Sequence, residues 1–213
     1  MRTEELIDTL ATGLAPASPA ALERRLAAGL LAGTLVTGAM MLVGLGVRHD
    51  LLTALTGFSF WMKGFYTLTL AIGATLATRF LARPDAPPMR WLWLLSLPVV
   101  AVAALAVFEL IRTPDQEWMA LWLGHSWRQC PLLLLTLAVP IFLGLLWAFS
   151  HFAPTRLRAT GAAAGLASGA GAALIYCLHC PEASASFLLT WYSLGIGLAT
   201  LFGALLGPRL LRW

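Results

Sequence analysis

Hydrophobic positions fall into six long runs, at residues 27–47, 59–78, 91–111, 129–150, 159–178 and 187–206, and nearly all charged residues lie in the short stretches between them. Each run is close to the ~20 residues that cross a hydrocarbon core of about 30 Å. Inside lipid every backbone N–H and C=O must be paired within the chain, and runs of Leu, Ala, Val and Gly at this length can do that only as helices. The pattern predicts an all-α polytopic membrane protein, a bundle of six transmembrane helices.

The segment before the first run has a different period. In MRTEELIDTLATGLAP, Leu6, Ile7, Leu10 and Leu14 recur at three- and four-residue steps, with Glu4, Glu5 and Asp8 on other faces. That is the signature of a short amphipathic helix. Thr3 followed by acids in the first turn predicts its cap, and PASP at 16–19 predicts a hinge. The chain then divides into a soluble segment at 1–26, a membrane domain at 27–206 and a short tail at 207–213. The acids ahead of the first run, Glu4, Glu5, Asp8 and Glu23, are unlike the basic opening of a cleaved signal, so this run is expected to stay as a membrane helix. A helix this short is marginal in water without something to pack against. From the pattern alone, the helix either lies on the membrane surface or binds a partner, and its acidic tilt disfavours a negatively charged leaflet.

Composition agrees with the runs: 59% of the 213 residues are hydrophobic and 11% are charged, against about 25% charged in an ordinary soluble domain. A water-soluble globule and a disordered chain are both excluded. The net charge of +4 is unevenly placed. Arg2, Arg24, Arg25, Arg79, Arg83, Arg90, Arg156, Arg158, Arg209 and Arg212 fall on one side of a six-span topology, and Arg48, Lys63, Arg112 and Arg128 on the other. Positive residues stay cytoplasmic. Both termini are therefore expected in the cytoplasm of a bacterial inner membrane, with the connections near 48–58, 112–128 and 179–186 on the periplasmic side.

Within the runs, Gly161, Gly165 and Gly169, and in the last run Gly195, Gly203 and Gly207, predict close helix packing inside the bundle. Pro98 and Pro140 predict kinks, or places where neighbours satisfy the freed carbonyls. Trp61, Trp118, Trp122, Trp127, Tyr176, Trp191 and Tyr192 suit an interfacial aromatic belt. Two ionisable groups lie at membrane depth, Lys63 and Glu109, near the same ends of adjacent helices. They either pair with each other or extend separately to the headgroups.

The remaining chemistry is cysteine. Cys130 opens the fourth run in WRQCP, and Cys177 and Cys180 close the fifth in YCLHCPE, so all three thiols fall at one membrane face. In an oxidising compartment they allow at most one internal disulfide. His179, His125 and Glu182 are near enough in sequence to join Cys130 and Cys180 around a soft or borderline metal ion. Cys177 also reads well as a small buried hydrophobe. No catalytic residue is assigned, and the chain is not read as an enzyme.

The segments EELIDTLA, FWMKGFYTLTLA, WRQCP and YCLHCPEASASFLLTWYSLGIGLATLFGALLGPRLLRW together resemble the NrsF-type membrane anti-sigma factors, over essentially the whole chain. The resemblance implies a six-span regulator of an extracytoplasmic-function sigma factor. Its amino-terminal segment, led by Leu6, Ile7, Leu10 and Leu14, would hold the sigma factor on the cytoplasmic side, with no direct contact to nucleic acid by the chain itself. It also implies that Cys130 and Cys180 sense oxidative or heavy-metal stress, with Cys177 an accessory thiol where the family more often has a small residue. Two other classes stand beside it. A quinone-linked membrane thiol oxidoreductase usually needs two cysteine pairs. A small metal transporter needs ligands near the bilayer midplane, where this chain has almost none.

Overall fold

The computed structural model describes residues 3–12, 19–83, 90–150, 152 and 154–212, without the side chains of Ile7, Asp8, Leu10, Ala11 and Pro19. Leu14 and most of the PASP hinge lie outside the described residues. All described regular structure is helical: α1 Thr3–Ala11, α2 Pro19–Gly44, α3 Leu51–Thr56, α4 Phe58–Leu81, α5 Ser96–Arg112, α6 Trp118–Leu123, α7 Cys130–Phe149, α8 Leu157–Tyr176, α9 Ala185–Phe187 and α10 Ser193–Leu210. A 3₁₀ turn at Arg90–Leu95 leads into α5, and a π turn at Leu188–Tyr192 joins α9 to α10.

Five helical stretches among the described residues are long and apolar enough to cross a membrane: Ala20–Gly44, Arg90–Arg112, Cys130–Phe149, Leu157–Tyr176 and Ala185–Leu210. The expected sixth, α4, has 24 residues but is diluted by threonines, Lys63 and Arg79. The dilution follows from its position. Met62, Lys63, Tyr66, Thr67, Leu70, Gly73, Ala74, Ala77, Thr78 and Leu81 are buried against the rest of the bundle, where polar side chains find partners. Thr67 and Thr78 donate to carbonyls of their own helix, Thr67 to Lys63 O at 2.8 Å and Thr78 to Thr75 O at 2.6 Å.

Two helix pairs pack backbone against backbone. A Cβ on Gly161 of α8 would lie 2.8 Å from Gly207 Cα of α10, and one on Gly33 of α2 would lie 2.6 Å from Ile141 Cα of α7. Such approach needs residues without side chains, so the glycine stripe of the fifth run serves internal packing, as its spacing predicts. Pro140 sits inside α7, where the missing N–H leaves the Thr136 carbonyl unserved. At the adjacent carbonyl, Leu137 O, the buried Thr37 hydroxyl of α2 donates at 2.9 Å.

Three local features differ from the pattern. α2 starts at Pro19, with Leu22 and Leu26 buried in a cluster with Leu145, Ala148 and Phe149. The helix therefore runs unbroken through the composition change at 26/27. Pro98 produces no mid-span kink, because α5 begins at Ser96 and the proline falls in its first turn, where a missing N–H costs nothing. The connections at 48–58 and 112–128 fold into α3 and α6 rather than plain loops. α5 buries only Val102 and Ala106 and forms an edge of the bundle.

Candidate functional site

The site forms where α8 ends. A helix C-terminus leaves its last carbonyls without internal partners and carries partial negative charge, and here cationic side chains meet them. Lys63, buried in α4 at 2% exposure, donates from Nζ to Cys180 O at 2.9 Å and to Glu182 O at 2.7 Å. Arg48, just past α2, donates from its backbone N to Leu178 O at 3.1 Å and from Nη1 to Cys180 O at 3.3 Å. The same guanidinium grips Asp50 at 2.6 Å, which holds that exposed carboxyl below the usual carboxylate range. The ring of His179 meets Gly46 O at 2.9 Å.

Beyond α8 the chain crosses the end of the bundle as a strap, residues 178–186. Glu182 turns its carboxylate toward the start of α7, where Oε1 accepts from His125 N at 2.7 Å, Ser126 N at 3.1 Å and Ser126 Oγ at 3.2 Å. Gly124 makes room for it. Its φ of +54° favours glycine, and a Cβ there would lie 2.5 Å from Glu182 Oε2. At the far end of the strap, Glu109 Oε2 accepts from Ser184 Oγ at 2.8 Å, Ser186 N at 3.2 Å and Ser186 Oγ at 3.4 Å. Ser184 also caps α9, accepting from the backbone N–H groups of Ser186 and Phe187.

Lys63 and Glu109 therefore do not pair with each other, nor do they extend to headgroups. Each binds a different part of one strap, as two independent anchors that neither alternative contained.

Cys180 belongs to this strap, and Cys130 and Cys177 share its core cluster. Cys130 and Cys180 are 0% exposed and Cys177 is 2% exposed, all three unbridged and in one core cluster with Tyr66, Leu134, Tyr176, Phe187 and Tyr192. Cys177, read from the sequence as a small buried hydrophobe, is thus no more buried than the other two. Tyr192 comes from the π turn that opens the last long helix. Its hydroxyl lies beside Cys177 and Cys180, and among the described residues it is the buried side-chain polar atom that lacks a hydrogen-bond partner. Tryptophans expected as a belt cluster at the rim of this core: Trp191 stacks with Trp122 and Trp127 at centroid distances of 5.7 and 5.2 Å, and its Nε1 donates to Trp122 O at 2.7 Å.

The metal set of Cys130, Cys180, His179 and Glu182 is not assembled. His179 is engaged with Gly46, Glu182 with the 125–126 turn, and the fully exposed His125 ring keeps its Nδ1 3.9 Å from the Glu182 carboxylate. Among the described residues no three Cys, His, Asp or Glu side chains gather into a metal-holding group. Far from this end, Leu6 of α1 stands 41% exposed.

Sequence reasoning missed Arg48, Tyr192, Ser184 and Ser186. A cap signal was present for Ser184, a serine just before a helical run. Arg48 reaches main-chain carbonyls more than a hundred positions away, and Ser186 reaches a carboxylate 77 positions away, so neither partnership shows in local sequence.

The family model for the negative regulator of sigma F, NrsF, matches residues 10–213. A probable anti-sigma-F factor NrsF of Azospira oryzae is 41% identical over the full length of both chains, and the anti-sigma-F factor NrsF of Caulobacter vibrioides is 41% identical, also over the full length of both. No solved structure matches the chain. The chain belongs to the NrsF family of negative regulators of sigma F.

Proposed function

We propose that this member of the family is a membrane-bound anti-sigma factor that holds a sigma factor of the extracytoplasmic-function type at the inner membrane and releases it when its cysteine end is chemically altered. The full-length match to two anti-sigma-F factors carries the reading. In it, all six long helices cross the bilayer, α4 included, with both termini cytoplasmic. The one-sided arginine distribution supports that orientation. The exposure of large apolar side chains such as Leu35, Val43, Phe65 and Ile111 on the outer face of the bundle, where water would disfavour them, supports the membrane setting itself.

The tail contributes the grip. α1 carries Glu4 and Glu5 in its first turn and leaves Leu6 uncovered. An amphipathic helix of this kind suits an apolar groove with a basic rim, and a protein that grips promoter DNA must have basic surface. The far end contributes the sensor. Cys130 opens α7 and Cys180 lies just past the end of α8, so a disulfide, a bound soft metal ion or a modified thiol at this pair would shift α7 against the end of α8, with Cys177 accessory. Replacing Leu6 and Leu10 by Asp tests the grip. The sigma factor should no longer copurify with the membrane protein, whose abundance should stay unchanged, and full retention would move the contact elsewhere.

A further inference from the structure

The three thiols are closed off from water, although a sensor must be reached by its stimulus. The surrounding long helices are poorly suited to part: α8 meets α10 and α2 meets α7 through glycine backbones, contacts that have no looser arrangement without losing the seam. The strap at 178–186 is different. It lacks regular structure over most of its length and is held by side-chain hydrogen bonds from separate elements.

We propose that this strap, which carries Cys180, is a gate over Cys130 and Cys177 and that Lys63 is the positioning residue that keeps it shut. The inference rests on the sensing role given above to Cys130 and Cys180. One buried ammonium bonds the carbonyls of Cys180 and Glu182, on either side of Pro181, and so fixes the backbone that carries the Cys180 sulfur. Proline has no N–H and cannot help this stretch pair with itself, so its carbonyls must be satisfied from outside. If the ammonium is removed, the Glu182 carbonyl loses its bond and Cys180 O is left to Arg48 alone, which is costly. The available replacement is water, and a strap that has lost these two bonds lifts more readily to admit it. Glu109 holds the far end through Ser184 and Ser186 and acts as the second anchor.

The test is residue-resolved alkylation of the full-length protein in detergent by a water-soluble maleimide, read by mass spectrometry. Lys63→Met keeps the side-chain volume and removes the ammonium. It should raise the labelling rate of Cys180 and Cys130 at least ten-fold while thermal unfolding stays cooperative. Glu109→Gln should raise it by a smaller factor, and it carries the test alone if the Lys63 variant fails to fold. Thr37→Val, which cuts the α2–α7 bond away from the strap, controls for destabilisation and should leave labelling at the wild-type rate. Equal labelling in wild type and in whichever anchor variants fold overturns the gate, whatever the cysteine variants do in cells. So does a rise in Thr37→Val as large as that in Lys63→Met. If the anchor variants open the thiols while Cys130→Ser and Cys180→Ser strains induce normally, the gate stands and the sensing role falls.

Discussion

The two ends of α8 are held in different ways. At its N-terminal half, Gly161 and Gly165 press on Gly203, Gly207 and Thr200 of α10 with no side chain between the backbones. At its C-terminus the contacts are directional hydrogen bonds to carbonyls and carboxylates, made by Lys63, Arg48, Glu109 and Glu182. The first kind of contact is short-ranged and steric, with no intermediate setting. The second is a set of separable bonds, each worth about 0.5–3 kcal/mol net depending on charge. A signalling protein needs one rigid region and one region that can change, and α8 carries both.

The largest effect should come from breaking the steric end. Gly203→Val places a branched side chain against the Gly161 carbonyl and Gly165, where overpacking costs about 1–3 kcal/mol even when side chains can yield. Backbone here cannot yield, so the variant should show the largest loss of melting temperature in the series, with poor recovery in detergent. Next comes Lys63→Met, which takes the bond from the Glu182 carbonyl at about 1–3 kcal/mol and leaves Cys180 O with Arg48 alone. Calorimetry should show a clear loss of stability, smaller than that of Gly203→Val, and in cells the dose of thiol-reactive oxidant needed for induction should fall.

Glu182→Gln ranks third. It removes the charge from an acceptor of backbone N–H bonds but keeps an oxygen in place, a difference of about 1 kcal/mol between charged and neutral hydrogen bonds. The expected result is a modest drop in melting temperature with faster alkylation of Cys130, whose helix the carboxylate steadies.

Asp50→Asn should be the mildest. The carboxyl is exposed and Arg48 keeps its bonds to Cys180 O and to the α8 terminus. Arg48 lowers the Asp50 pKa, so whatever the pair contributes is present above the ordinary carboxylate value of 3.8 and lost as pH falls through the lower folded value. Near pH 7 the variant should remove that contribution with little change in melting temperature, and acidification to about pH 3 should narrow the gap between the two proteins.

The same contrast explains what the sequence disclosed. The glycine stripe was legible because steric packing is written in residue type and spacing, and the long helices were legible because lipid demands length and apolarity. α4 is the exception that follows the rule: it was found by its apolar run, yet it is too polar to stand out as a membrane helix, since Lys63 and its threonines face protein. The strap was not legible. Lys63 and Glu109 stood out as ions at membrane depth, but their partners are main-chain carbonyls and serines of the 180–186 stretch, and a carbonyl leaves no mark in the sequence. The sequence left open whether the two charges pair or extend to headgroups, and hydrogen bonds to the strap displaced both alternatives. Cysteine spacing likewise placed the thiols at one end but gave no sign that Cys130 and Cys180 would be as buried as Cys177.

The central claim is that chemistry at the cysteine end controls the hold on the sigma factor. It is tested most directly by the fraction of sigma factor that copurifies with the membrane protein before and after cells meet a thiol-reactive oxidant or soft metal. Wild type should lose most of its bound sigma factor on treatment, whereas Cys130→Ser, with the tail untouched, should keep it. Equal release from both proteins would contradict the account and leave the buried thiols as packing residues.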